Sequence, residues 1–315
     1  MVAAVNTFAY TGEEPWHRLG TKLTPDADMD TWLAESGLNY ELETRPVYVP
    51  QGSSAALGLP EDNFRAVYSP AYGVLSIVSP YYHPVQPRAV LEFFRELCEG
   101  ILGYKMETAG VLRDGKAYFA LARVPLSFQV TKEDYNTFLL VSSSADGSSA
   151  TIARTVMTRV VCANTLAMAF GEKDRTSYVS LSHRCDIDAI RWQDVKDQLG
   201  VGSFEERAIA YTKWAEELEE RRVNAESFFR HITGIDEDME KLTRKSPLVK
   251  LLRANENAPG ATPGTLYGAL NATTFFTDHM VRSRHAGNAV WSSQFGNGAA
   301  LKSKAVNYCQ ELLAA

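Results

Sequence analysis

The chain has 315 residues, 45% hydrophobic and 22% charged, and 32 lysines and arginines against 38 acids give a formal charge of −6. These proportions are those of a folded globular protein and exclude a disordered chain, a collagen-like repeat and a disulfide scaffold. The mild acidity argues against coating duplex DNA through overall charge but leaves room for a local basic groove.

Residues 1–25 read as an irregular arm carrying Pro15-Trp16-His17-Arg18-Leu19-Gly20. It has neither the charged start nor the apolar stretch of a secretory signal. No run approaches ~18 apolar residues, so no membrane span is expected and the expected location is the cytoplasm. Asp28 or Asp30 can cap a helix over 28–36 that Gly37 closes. Tyr40 to Val49 alternates with period two, which predicts a strand. Phe64–Ser69 and Tyr72–Ser79 predict a hairpin about Pro70-Ala71. Pro87 suits a helix start, and Val90, Leu91, Phe94, Leu97, Cys98 and Ile101 follow at helical spacing.

Met106–Leu112 and Lys116–Val124 read as strands joined by Arg113-Asp114-Gly115. Tyr135–Ser142 and Ala150–Val156 follow as strands about an Asp146-Gly147 turn, and the chain then reads as helical through Val160–Phe170. Tyr178–Ser182 is the last expected strand. Beyond it, helices are expected at Asp188–Leu199, Glu237–Leu242, Pro247–Arg253, Thr265–Val281 and Ala299–Leu313. One long helix is expected over Phe204–Ile232, with Tyr211, Trp214, Ala215, Leu218, Ala225, Phe228, Phe229 and Ile232 as its apolar stripe. Strands before about residue 185 and helices after it predict an α+β fold. The expected form is a mainly antiparallel curved sheet backed by helices, then a helical C-terminal part, with domains 1–185 and 186–315.

Familiar catalytic signatures are missing. Gly200-Val201-Gly202 and Gly296-Asn297-Gly298 continue into neither a dinucleotide fingerprint nor a P-loop. Cys98, Cys162, Cys185 and Cys309 are too far apart for a zinc knuckle or a dithiol motif, and buried free thiols are expected. His183 beside Cys185 and Asp186 lacks a fourth ligand, and His279 and His285 do not align on one helical face. No catalytic residue, metal or cofactor is therefore assigned.

Charge distribution says more than total charge. No acid lies between Asp146 and Glu172, where Arg154 and Arg159 stand. None lies between Asp278 and Glu311, where Arg282, Arg284, Lys302 and Lys304 stand. Residues 241–253 add Lys241, Arg244, Lys245, Lys250 and Arg253 without an acid. Trp291 and Phe295 interleave with the last basic segment, and cations with stackable rings are what single-stranded nucleic acid binding uses. The candidate contacts are Arg154, Arg159, Arg282, Arg284, Trp291, Lys302 and Lys304.

Several stretches together carry a resemblance. They are Pro15–Thr21, Gly37-Leu38-Asn39-Tyr40-Glu41-Leu42 and Ala145-Asp146-Gly147-Ser148. Thr158-Arg159-Val160-Val161-Cys162-Ala163-Asn164-Thr165-Leu166, Leu266–Thr273 and Asp278-His279 complete the set. The chain resembles the phage/plasmid-like protein family, a family of unknown function, over nearly its whole length. The resemblance implies a mobile-element setting and supplies no activity. In one departure, Ser144-Ala145-Asp146-Gly147 stands where the family leads one to expect a His before the Asp. That counts against catalysis by this loop. The order of strands then helices is also loosely similar to phage single-strand annealing recombinases, which form rings or filaments and hold DNA in a basic groove.

Three functions stay open. The first is a DNA-binding accessory protein in recombination or replication, homo-oligomeric and holding single-stranded DNA; it needs no catalytic residues. The second is a protein-interaction factor whose partner is a host or phage protein. The third is a metal-dependent nuclease using Asp146, Asp278 and His279.

Overall fold

A computed structural model describes residues 7–12, 14–15, 20–49, 59–100, 104–130, 133–159, 164–167, 178–183, 204–281 and 286–315. In chain order the strands and helices of the first part are β1 (Phe8–Tyr10), β2 (Thr21–Lys22), α1 (Met29–Ser36), β3 (Glu43–Val49), β4 (Leu59–Ser69), β5 (Gly73–Val78) and α2 (Pro87–Gly100). Then come β6 (Lys105–Leu112), β7 (Ala117–Val130), β8 (Glu133–Ser144), β9 (Thr151–Arg159), β10 (Asn164–Ala167) and β11 (Tyr178–Leu181). The helices α3 (Phe204–Glu220), α4 (Ala225–Thr233), α5 (Pro247–Asn257), α6 (Leu266–Phe275), α7 (Ala286–Phe295) and α8 (Asn297–Ala314) follow. The fold is mixed: a large, mostly antiparallel sheet in the order β10-β9-β8-β7-β6-β1-β2, with β11 also on β9, and a helical C-terminal region.

The chain groups into two compact units. The first holds residues 1–124, 139–155 and 175–199, and the second holds 125–138, 156–174 and 200–315. The division falls inside β7, β8 and β9, whereas the sequence reading draws one line at 185.

In the first unit, β1 pairs antiparallel with β6 and parallel with β2, and β6 pairs antiparallel with β7 from Leu112↔Ala117 to Lys105↔Arg123. That ladder ends at Lys105, where β6 begins, while β7 runs on to Val130. Asp28 caps α1 by accepting from the Thr31 amide at 2.7 Å, and Gly37 ends it at φ 75°, where a side chain would be strained. The sequence places that helix correctly. Trp32, Leu33, Val90, Leu91, Phe93 and Phe94 are buried with Phe8, Val111 and Tyr118. Tyr40–Leu42, expected as strand, is held instead by a side chain. The Gln86 amide donates to the Leu42 carbonyl at 2.9 Å and accepts from the Leu42 N–H at 3.0 Å, as a neighbouring strand would. The strand proper begins at Glu43 and forms a separate sheet, β3-β4-β5.

In the second unit, Val130, Tyr135 and Met157 share one core with Tyr211, Leu218, Phe228, Phe229, Leu251, Tyr267, Leu270 and Cys309. Every residue of α6 from Leu266 to Thr274 is buried, so this helix is central to the unit. Gly268 is required there, since a Cβ would stand 1.9 Å from the Thr262 carbonyl oxygen. The Tyr135 and Tyr267 hydroxyls meet at 2.7 Å, and Tyr267 also reaches Glu133 at 3.3 Å.

Two further sequence expectations are corrected. The helix over Phe204–Ile232 is two helices. Asn224 starts the second by accepting from the Ser227 amide at 2.9 Å, and the linker is drawn aside by Val223 N–H to Gly264 O and Leu266 N–H to Arg221 O. Asn164–Ala167 is strand rather than helix, paired antiparallel with β9 from Asn164↔Arg159 to Ala167↔Val156. The rest of the expected Val160–Phe170 helix, with Val161 and Cys162, lies outside the described residues, as does the Asp188–Leu199 helix.

Candidate functional site

Three polar groupings stand out. The first is inside the helical unit. After Phe275, α6 widens into a π-helical turn, Phe276–Met280, which carries Asp278 inward. The Lys302 ammonium on α8 donates to Asp278 Oδ1 at 2.5 Å and to Ser293 Oγ at 3.2 Å. The Ser293 hydroxyl donates to the same carboxylate oxygen, and Thr277 Oγ1 adds a bond at 3.4 Å. The Asp278 and Lys302 side chains are 0% and 6% exposed. This cluster ties the π turn, α7 and α8 together. It resembles a Ser–Lys pair in composition, but an ammonium that donates to both partners has no lone pair to take the Ser293 proton.

The second grouping is in the first unit. Arg113 and Asp114 have φ of 52° and 61°, a left-handed conformation uncommon away from glycine. This turn aims Arg113 at the next loop, where its guanidinium meets Asp146 at 2.9 Å and the Ser148 hydroxyl at 2.8 Å. The other Asp146 oxygen accepts from the Ser148 N–H at 3.0 Å. Behind this loop runs a buried chain of hydroxyls. Ser143 and Thr151 meet at 2.8 Å, and Thr151 lies 3.4 Å from His183 Nε2. His183 Nδ1 lies 3.3 Å from the His83 carbonyl. A carbonyl only accepts, so Nδ1 carries the proton and Nε2 accepts from Thr151. The Tyr82 ring stacks on the imidazole at 4.8 Å. Burial holds His183 below its ordinary range, in the neutral form this pattern needs.

The third grouping is a surface. Lys241, Arg244, Lys245 and Arg253 are exposed, Lys250 is half-buried, and no acid interrupts residues 241–253. Lys241 pairs with Asp238 at 2.7 Å. The run enters α5, whose Ser246 cap makes no side-chain bond to the first turn and whose first residue, Pro247, has no N–H to satisfy.

The residues singled out from sequence fall as follows. Arg154 is half-buried on β9 opposite Tyr178 and belongs to the first unit. Arg159 ends β9 opposite Asn164 in the second unit. Trp291 is half-buried on α7, with its ring 4.8 Å from that of Phe295. Lys304 is exposed on α8. Lys302, expected at a phosphate, is instead buried with its ammonium committed to Asp278 and Ser293. Arg282 and Arg284 lie outside the described residues. Of the alternative nuclease residues, Asp146 and Asp278 each already hold a cation, and His279 is exposed with its ring 4.8 Å from Phe275. No cluster of three metal-ligating side chains occurs among the described residues. No described helix is long and apolar enough to cross a membrane.

The π turn, the Asp146 loop and the basic run all fall within one family match. The chain belongs to the family described as domain of unknown function (DUF932), whose model covers residues 74–294. No curated protein and no solved structure matches the chain.

Proposed function

We propose that this chain is a nucleic-acid-binding accessory protein of a phage- or plasmid-type mobile element, cytoplasmic and homo-oligomeric, that holds single-stranded DNA in recombination or replication. The observation that carries this reading is the exposed run Lys241–Arg253. Arg244 and Lys245 stand free of ion pairs among the described residues, just before the start of α5. Lys250 and Arg253, one turn apart, extend the run along the helix. Phosphate is the ligand this chemistry suits, since lysine and arginine side chains neutralise it. Lys304, Arg159, Arg282 and Arg284 are the further cations of the reading, and Trp291 is the ring for stacking. Arg154 remains a proposed contact from the first unit.

Fluorescence anisotropy with a labelled single-stranded oligonucleotide tests this. Binding should weaken with salt, and Arg244→Ala with Lys245→Ala should flatten the salt slope by about 0.7 for each phosphate no longer neutralised. Salt-insensitive binding, or none, sinks the reading. Equal binding of RNA would widen it to single strands in general.

A protein-interaction role on a host system is the second reading. It is favoured by Val74, Ile77 and Tyr81, which are exposed apolar side chains on and beside β5. Absence of nucleic-acid affinity together with a stable host complex lost on Ile77→Glu would establish it.

A further inference from the structure

Most of the large hydrophobic side chains that the described residues expose lie on or beside the three-stranded sheet of the first unit: Tyr48, Val49, Phe64, Val74, Ile77 and Tyr81. The two edges of that sheet differ. β3 carries Glu43 and Arg45, and its Pro46 has no N–H to offer, which are ordinary devices against pairing with another chain. β5, Gly73-Val74-Leu75-Ser76-Ile77-Val78, has no charge and no proline. Among the described residues its backbone pairs with β4 alone, and its further bond is from the Ser76 hydroxyl to the Ala145 carbonyl at 3.3 Å. The edge away from β4 therefore presents N–H and C=O groups with no strand to meet them. Tyr68 pairs with Val74 and Ala66 with Ile77, and Leu75 is the extra residue of a bulge between them. Ala66 and Tyr68 alternate with Val67, so Val74 and Ile77 share one face of the sheet, where they are 62% and 54% exposed. From Ala66 to Pro87 the chain has no Asp, Glu, Lys or Arg.

We propose that this edge pairs antiparallel with β5 of a second copy of the chain, joining two three-stranded sheets into one of six strands. An open strand edge takes an extended strand, because that is what matches its row of donors and acceptors. The charge-free stretch gives phosphate and charged peptides no counter-ion, so the strand it suits is neutral and apolar on one face. β5 is itself such a strand, and two copies of it bring no like charges together. Antiparallel pairing about a two-fold axis near Leu75 and Ser76 sets Val74 of each copy beside Ile77 of the other, on one continuous apolar face. The contact uses the same surface on both chains and closes at two. It gives the proposed homo-oligomer its interface and rests on that part of the reading above. It does not rest on DNA binding, since β5 holds none of the cations assigned to phosphate. The host-protein reading uses the same side chains, and the experiment separates the two occupants.

Sedimentation velocity and hydrogen exchange on the full chain test the pairing. The native protein should pass from monomer to dimer as concentration rises, with little response to salt, because no charges are paired. Over the same range amide exchange in residues 73–78 should slow, which association through another surface would not produce. The doubly changed chains Val74→Glu/Ile77→Glu and Val74→Lys/Ile77→Lys should each stay monomeric alone and associate when mixed. That rescue also shows that both chains are folded. A native protein that is monomeric at every concentration, a dimer whose 73–78 amides exchange as in the monomer, or a mixture that fails to associate overturns the pairing. A native monomer that forms a host complex lost on Ile77→Glu overturns it too, and gives the edge to that partner. A dimer that leaves a labelled oligonucleotide unbound keeps the pairing and removes the DNA reading, and salt-sensitive oligonucleotide binding by a native monomer does the reverse.

Discussion

Lys302 and Asp278 meet at 2.5 Å with almost no exposed surface, so what holds them is the cost of separating them. Removing one partner leaves the other charge buried and uncompensated, which typically costs about 3–5 kcal/mol. Asp278→Ala should lower stability in urea denaturation by about that amount. Asp278→Leu together with Lys302→Met should recover most of it, because an apolar pair of similar size needs no compensation. Equal losses for the single and double variants would show that the site is held by shape rather than charge. From sequence, Lys302 looks like a solvent cation because no acid lies between it and Asp278. Its partner is the acid that opens that stretch, and only the return of α8 onto the π turn reveals it. His183 allows a second test at this scale. Burial depresses its folded-state pKa, so below the unfolded value of about 6.5 the unfolded chain binds more protons. Its contribution to stability is therefore present above that pH and lost as pH falls below it. Thermal unfolding of the native protein should drop between pH 7 and 5 by more than that of His183→Phe, and matched profiles would remove His183 as the cause.

At the scale of elements, local signals are legible where the element closes on itself. The Asp28 cap, the Gly37 end of α1 and the Arg113-Asp114-Gly115 turn all stand where the sequence puts them. The misses come from distant partners. Nothing local between Glu220 and Ala225 forbids a continuous helix, since Arg221, Arg222 and Val223 are compatible with one. The break is imposed by residues 264–266, which take the hydrogen bonds of Arg221 and Val223. In the same way, Asn164–Ala167 gains a strand partner in β9 that its own composition does not announce. The Asn224 cap is the local part of the break and can be tested. Asn224→Ala should cost about 0.5–2 kcal/mol in chemical denaturation, while Asn224→Ser should cost little. A neutral alanine variant would mean that the 264–266 pairing alone positions α4. Cys309 reports on the packing of α8. Its thiol is buried and pushed up to about 12, so a thiol reagent should label it only as fast as the unit opens. Prompt labelling in the native protein would place α8 on the surface.

For the whole molecule, the sequence shows strands first and helices second, and the large antiparallel sheet and helical C-terminal region agree with that order. It does not show that strand residues take part in the helical core. Val130, Tyr135 and Met157 precede every helix of that unit, yet they are buried with Tyr211, Tyr267 and Phe228. The sequence reading ends two of these strands at Val124 and Val156, short of Val130 and Met157, and a strand's own residues carry no information about what covers each end. A fragment of residues 186–315, cut where strands give way to helices in the sequence, would retain α3 to α8 and lose those three side chains. Each fully buried side chain of this size contributes about 1.5–3 kcal/mol. Their combined loss is a large part of the roughly 5–15 kcal/mol that stabilises a typical domain. The hydroxyl pair between Tyr135 and Tyr267 would go as well, leaving the Tyr267 hydroxyl without that partner inside α6. The fragment should keep helical far-UV circular dichroism, since the helices have their own caps at Asn224 and Thr265. It should lose the near-UV signal of packed aromatics and bind a hydrophobic dye, the marks of a compact state without fixed packing. A fragment with native near-UV dichroism and a cooperative thermal transition would show that the helices fold without their strand residues, and that residue 185 is a true boundary.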